Sequence, residues 1–415
     1  MKKVILILLI TLLVGILFFD SNSSAAPVIK TINIGATQVL TGFSASLGLT
    51  LKKFAEVLID DFNKSGGIVI QGQRYNFNLI FEDDKYTAEG GRAAIDKLVN
   101  TDKISALMIT SSAATIMAGL DITETNKVPY FCCSAEPRLI DPKYRYVVSS
   151  STLRTVYAVQ WGWIAKNRPD IKNVLLIAGD DISGHNDVDK HTIAMKAFGI
   201  NPIDAIYYPR AATDLSPIAT KAKQLNPGAV SFVGTFAGGP QAALIKALYQ
   251  AGWKGITNNA AGISFNENLR IAGKDAVERW VGPIMDGSGI TPPPAPLVKL
   301  RNLYEAKYGT GSWDKDNVAI NIPWIASWYF LPEAMKKANS LDPDAIMKAV
   351  EGMAADTPTG TVKLIVPVER RDNPRAVQPI GEVTMGQIKD GKMNVLGRVS
   401  IEDAIKYAQT VYQPK

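Results

Sequence analysis

Strand-like and helix-like segments alternate without interruption from residue 32 to residue 250, and no other feature of the 415-residue chain narrows its fold as far. The first unit sets the pattern. Ile32, Ile34 and Ala36 alternate with Asn33 and Gly35, which is the period of a strand. Phe54, Ala55, Leu58, Ile59 and Phe62 then share one helical face, and Gly66 and Gly67 supply a stop. The same reading gives strands at 75–81, 106–110 and 129–133, with helices at 88–100 and 114–126 between them. After the polar run 149–155 it begins again: helix 156–166, strand 174–178, helix 187–197, strand 203–208, helix 215–224, strand 229–233 and helix 240–250. Right-handed crossovers of this kind build open parallel sheets covered by helices on both faces. Two such runs of similar length predict an α/β protein of two doubly wound parallel-sheet lobes, with a cleft between them.

Past Trp280 the pattern changes. The proline-rich stretch 281–296 cannot continue a helix and reads as a connector. Helices at 295–308 and 317–339 follow, the second bearing Trp324, Trp328, Tyr329 and Phe330 at a spacing that reads as core. Asp342 and Pro343 open a helix at 342–352. Strands at 362–367 and 380–388, a turn at 389–392 and a helix at 401–412 complete the chain, and this tail does not read as a third domain.

The composition, 47% hydrophobic and 20% charged, suits a large packed core divided between two domains. Residues 1–25 stand apart. Lys2 and Lys3 precede an apolar run at 4–19, and a short polar segment with small residues ends at Ala25, the layout of a secretory signal peptide cleaved after that residue. The apolar run is shorter than the roughly 20 residues that span a bilayer. No cysteine lies near the boundary, so lipid attachment there is excluded. Loss of the leader removes two Lys and one Asp and takes the net charge from +6 to +5. The basic residues are scattered among acidic ones, which argues against nucleic-acid binding. Cys132 and Cys133 are adjacent, cannot close a normal disulfide loop with each other, and read as buried strand residues.

Catalytic classes find little support. His185 and His191 have no cysteine or carboxylate around them at a metal-binding spacing; both read as solvated surface residues, and no cofactor or metal is expected. No serine occupies a nucleophile elbow. The glycine-rich stretch 234–241 lacks the Lys-Ser/Thr pair that ends a phosphate loop. Binding fares better. Thr41, Gly42, Ser44, Ser46 and Gly48 put hydroxyls and open backbone N–H groups between a strand and a helix start, where a carboxylate is stabilised. An ordinary turn of small residues has the same composition. Repetition of the pattern at Ser111 to Thr115 and at Ser134 and Ala135 points to a site for a carboxylate or amide beyond the strand ends.

The segments TGFSASLG, FNKSGGIVIQGQRYNFNLIFEDD, SSAAT, VPYFCCSAEP, GDDISG, KALYQAGW and RAVQPIGEVTMGQIKDGK follow one another along the chain. In this order they resemble the branched-chain amino acid substrate-binding proteins of ABC transporters, the leucine-binding-protein-like type I periplasmic solute-binding proteins. The resemblance implies a Venus-flytrap of two lobes joined by a three-strand hinge, with crossovers near Ser149, near 282–287 and near Gly360. Residues 26–150 and 284–360 then form the first lobe, and 151–283 and 361–415 the second. It implies a non-enzymatic protein that closes on a small molecule and delivers it to a membrane permease, touching the membrane complex only peripherally. A sensor component of the same fold is the alternative.

Carried over residue by residue, the site comprises Ser44, Ser46 and Leu47; Ser111, Ser112, Ala114 and Thr115; and Cys133, Ser134 and Ala135. The resemblance assigns the ligand carboxylate to Ser112, and contacts with the α-amino and carboxylate groups to Ser134 and Ala135. The second lobe departs from the pattern. Ser183 stands where amino acid binders have a tyrosine, Phe236 or Ala237 where they have another aromatic, and Ala261 where an acidic residue accepts the ligand ammonium. A buried ammonium without an acidic partner is costly. An apolar or aromatic carboxylate is therefore the expected ligand, with an amide or a branched-chain amino acid as runners-up.

Overall fold

The computed structural model describes residues 28–42, 45–108, 112–134, 136–149, 153–209, 212–234, 239–285, 292–316, 325–365 and 378–412. Residues 1–25, read above as a signal peptide, lie outside them.

The first sheet holds β1 (Lys30–Gln38), β2 (Ile68–Ile70), β3 (Gln73–Asp83), β4 (Ala106–Met108), β5 (Tyr130–Cys132) and β6 (Val147–Ser149), in the order β2-β3-β1-β4-β5-β6. All pairs are parallel except β2 with β3. Helices α1 (Ala45–Lys64), α2 (Ala88–Asp96) and α3 (Ala113–Thr125) connect the strands. Strand alternation decides which face each residue serves. Ile32, Ile34 and Ala36 join Phe54 and Ala55 of α1 in one core, whereas Leu107, Tyr130 and Cys132 face Ile95, Ile116 and Leu120 in another. The sheet is thus covered on both sides.

The helix expected at 88–100 is α2 followed by a π-helical turn at Lys97–Thr101, in which the Asp102 N–H reaches the Lys97 carbonyl. The wider turn lets the consecutive Leu98 and Val99 both face inward.

The second sheet repeats the plan with β7 (Asn173–Gly179), β8 (Asn201–Tyr208), β9 (Ala229–Val233) and β10 (Ile256–Asn258), all parallel, in the order β10-β9-β7-β8. Its helices are α4 (Leu153–Asn167), α5 (Ile182–Ala197), α6 (Ser216–Leu225), α7 (Gly239–Gln250) and α8 (Phe265–Ala272). Leu175, Ile177, Val230 and Phe232 pack on one side, and Val174, Leu176 and Ala178 on the other.

The rest of the chain supplies β11 (Val281–Ile284), helices α9 (Ala295–Tyr308), α10 (Ala326–Ala338) and α11 (Pro343–Val350), strands β12 (Ala354–Thr357), β13 (Gly360–Ile365), β14 (Gln378–Gly381), β15 (Val383–Lys389) and β16 (Lys392–Val399), and α12 (Ile401–Val411). Leu300, Tyr304, Phe330, Met335, Val350, Val362 and Leu364 return to the core beneath α1. Val383, Met385, Val399 and Ala404 pack instead against Val156, Tyr157 and Val159 of α4. The chain therefore passes from the core under α1 to that of α4 along β13 and β14, because Val362 and Leu364 lie in the first and Ile380 already lies in the second.

Two expectations change here. The stretch at 281–296 opens with a true strand, since β11 pairs antiparallel with β15. The single strand read at 380–388 is two strands that belong to different sheets: β14 pairs with β13, and β15 with β11 and β16. The helix expected at 317–339 is described from Ala326 on, and 317–324 lie outside the described residues.

Candidate functional site

In the first sheet the chain moves from β1 outward to β3, then crosses back over β1 to β4. Helix α1 leaves β1 toward one face and α3 leaves β4 toward the other, so the β1/β4 boundary is a topological switch point, where ligands of open α/β sheets sit. The second sheet has its switch between β7 and β9, where α5 and α7 begin.

Gly48 seats the first loop. A Cβ there would stand 1.9 Å from the Val39 carbonyl oxygen, so the first turn of α1 can close on β1 only with glycine. Asp83 braces the same loop: Oδ2 accepts from the Thr41 hydroxyl (2.6 Å), and Oδ1 from the backbone N–H groups of Leu40 (2.9 Å) and Lys85 (3.0 Å). Burial would raise the Asp83 carboxyl; these hydrogen bonds outweigh it and hold the group below its usual range. Thr41 is thereby tied to Asp83. Ser46 is exposed and Leu47 half-buried in the opening turn of α1, while Ser44 lies outside the described residues.

At the end of β4, Ser112 caps α3, accepting the Thr115 N–H at Oγ (3.1 Å). The two hydroxyls are 2.9 Å apart, and the Thr115 hydroxyl is 3.3 Å from the Thr87 carbonyl. When Thr115 donates to Thr87 or to Ser112, the Ser112 O–H can turn to donate to an incoming acceptor such as a carboxylate. Ala114 is half-buried in the same turn, and Ser111 lies outside the described residues. One strand further, Cys133 is buried and Ser134 half-buried; the Ser134 Oγ accepts the Glu136 N–H (3.1 Å), and its carbonyl accepts the Ser149 hydroxyl. Ala135 lies outside the described residues.

The second lobe mirrors the first. Asp181 caps α5 through the Gly184 N–H (2.8 Å), and a Cβ on Gly184 would stand 1.9 Å from the Gly179 carbonyl oxygen. Ser183 is half-buried in that first turn. Beyond β10, the Ala261 N–H donates to Asn259 Oδ1 (2.8 Å). Phe236 and Ala237 lie outside the described residues. The fold thus gathers the β1, β4 and β5 loops of one lobe side by side, and sets Ser183 and Ala261 on the other, two strands apart.

Sequence reasoning passed over several buried polar groups. Among the described residues, Gln38 and Gln241 are the two whose buried side-chain amides lack a hydrogen-bond partner at both nitrogen and oxygen. Gln38 ends β1 and Gln241 lies in the first turn of α7, one at each switch point. Gln160 donates to Asn258 Oδ1 (3.1 Å), and Asn258 pairs in register with Ser231 on β9, forming a buried polar floor. Strand-end position was the available signal for Gln38.

The reading of His191 as a solvated residue is corrected. Its ring is buried, accepts the Trp161 indole N–H at Nδ1 (2.9 Å) and lies against the Tyr157 ring. Burial first, then the Lys190 charge, pushes its pKa down to about 3. The sequence carried the signal, because His191 follows the buried Val188 by three residues and precedes Met195 by four. His185 is exposed, 2.9 Å from Asp180 Oδ1 and stacked on Tyr207.

The sequence model of the periplasmic binding protein family matches residues 31–392. The chain belongs to that family. A Leu/Ile/Val-binding protein homolog from Brucella melitensis is 26% identical to this periplasmic binding protein over 272 residues, 64% of this chain and 70% of the relative. Among solved structures, a solute-binding protein of an ABC transporter from Rhodopseudomonas palustris, in complex with 3,4-dihydroxybenzoic acid, superposes with a TM-score of 0.71 at 18% identity, covering 89% of this chain and 98% of that one. A leucine-binding protein from Thermotoga maritima superposes with a TM-score of 0.70 at 17% identity, covering 90% and 99%. At these identities the likeness establishes the two-lobed fold. Among the described residues, no helix of this periplasmic binding protein is long and apolar enough to cross a membrane.

Proposed function

We propose that this protein is the extracytoplasmic substrate-binding component of an ABC importer. Its lobes close on one small carboxylate and present it to a membrane permease. The N-terminal segment directs export, and the passages between the lobes that follow Ser149, follow Met285 and run along β13 and β14 act as the hinge. The observation that carries the reading is the first-lobe switch point, where the Ser112 and Thr115 hydroxyls stand 2.9 Å apart at the N-terminus of α3. Leu47 and Ser134 complete the acid-binding side, and Ser183 and Ala261 belong to the second lobe's side; Ala135, Phe236 and Ala237 are assigned to the site by the family resemblance alone.

Ligand class follows from what the second lobe offers. The two solved structures named above differ by 0.01 in TM-score, yet one holds an aromatic acid and the other is a leucine-binding protein, so overall shape does not choose between them. Ala261 does, because it supplies no carboxylate for an ammonium. An aromatic or apolar carboxylate satisfies the first lobe without leaving a charge unpaired in the second.

Thermal-shift measurement of the mature protein against benzoate, 4-hydroxybenzoate, a simple amide and leucine tests this. An acid present at a hundred times its Kd adds about 2.7 kcal/mol to the folded state. Stabilisation by leucine with none by the acids would overturn the assignment.

A further inference from the structure

Glu136 follows the Ser134 loop and is only 5% exposed, an unusual setting for a carboxylate. Its two oxygens serve different partners. Oε1 accepts the backbone N–H of Arg138 (3.1 Å) and that residue's Nε (2.8 Å), and so caps the short 3-10 helix at Pro137–Ile140. Oε2 accepts Arg138 Nη2 (3.2 Å) and, from the opposite lobe, the side-chain amide of Asn186 on α5 (2.7 Å). Lys190, one turn beyond Asn186, lends its positive charge to the same spot.

A second chain of contacts leads from Glu136 back to the hinge. The Glu136 N–H donates to Ser134 Oγ, and the Ser134 carbonyl accepts the hydroxyl of Ser149, the last residue of β6 before the chain first leaves the lobe. Hinge, ligand loop and opposing lobe are therefore joined through three consecutive polar links. Helix α3 also packs against α5 beside them.

We propose that Glu136 is a positioning residue: its carboxylate, held by Arg138 and engaged by Asn186, couples the Ser134 ligand loop to the approach of the two lobes and favours their closed arrangement before any ligand arrives. The inference rests on the solute-binding reading above, but it concerns lobe geometry rather than the ligand. Because Oε1 makes the local cap and Oε2 takes the Asn186 hydrogen bond, the two roles can be separated from the Asn186 side. Hydrogen bonds to buried charged groups are strong enough to shift an open-to-closed ratio by roughly ten- to a hundred-fold.

The test is small-angle scattering on the ligand-free full chain, with melting temperature recorded for every variant. Asn186→Asp sets two carboxylates against each other and should raise the radius of gyration while the protein stays folded. Adding Glu136→Gln to it restores a donor–acceptor pair with the roles exchanged and should return the radius toward the wild-type value. A radius unchanged in Asn186→Asp, or equally enlarged in the swapped double variant, overturns the proposal. Benzoate affinity, read separately by calorimetry, should weaken in Asn186→Asp and recover in the double variant. Absence of benzoate binding in the wild type would count against the proposed ligand class and leave the scattering result standing.

Discussion

Trp161 and Tyr157 enclose His191 so fully that its imidazole stays neutral where a free one would take a proton. The sign of the consequence is set by its folded pKa of about 3 against the ordinary 6.5. Between those values the unfolded chain binds the proton and the folded one does not, so stability falls as pH drops from 6.5 toward 3, by about 1.4 kcal/mol per unit from this one group. Lys190 faces the ring with its charge, and Asp187 is engaged by the Tyr157 hydroxyl at 2.9 Å. Urea unfolding of wild type and His191→Gln at pH 7 and pH 4.5 should show a smaller acid loss in the variant; equal losses would show that His191 does not carry it. Gln38 gives a second residue-level expectation. A buried amide with neither atom paired costs about 1–3 kcal/mol, so Gln38→Met should stabilise the ligand-free protein by about 1 kcal/mol or more. A fall in the urea midpoint would mean that the amide is satisfied in solution.

Helix starts carry the site at the next scale. Ser112 both caps α3 and is the proposed carboxylate donor, and these roles respond differently to substitution. Ser112→Ala should cost about 1 kcal/mol as a lost cap and weaken binding as well. Ser112→Asp keeps the cap and restores most of that stability, but its charge should abolish benzoate binding; retained binding would remove Ser112 from the site. The first turns of α1 and α5 share another requirement, because Gly48 and Gly184 each press on a strand-end carbonyl at a distance no Cβ tolerates. Gly48→Ala should destabilise by about 1–3 kcal/mol, measured by urea titration, since α1 must move off β1. An unchanged midpoint would mean that the loop yields freely.

Each lobe of the whole molecule is completed by a distant part of the chain. The core under α1 needs Leu300, Phe330 and Val362, and the second lobe needs Val383, Met385, Val399 and Ala404 against α4. Deleting residues 383–415 removes cover from Val156, Tyr157 and Val159 and strips Ile388 from the other face, while leaving the first-lobe cores intact. Hydrogen exchange on that truncation should show protection kept in 30–149 and lost in 173–258. Protection retained in both would show that the second lobe stands without its C-terminal strands. Much of this architecture was legible in local patterning: alternation and helical stripes mark which face of each segment is apolar, and that determined two parallel sheets, their helices and the small-residue loops at the strand ends. Periodicity does not say which neighbour covers a face. Only the tertiary structure decided that the stretch 380–388 divides between two sheets at Glu382, that His191 on an apolar stripe lies under Trp161, and that Gln38 and Gln241 are buried without partners. The same holds for Glu136 and Asn186, which stand in different lobes, 50 residues apart. Their contact depends on how two independently patterned sheets are brought together, and no local spacing encodes that.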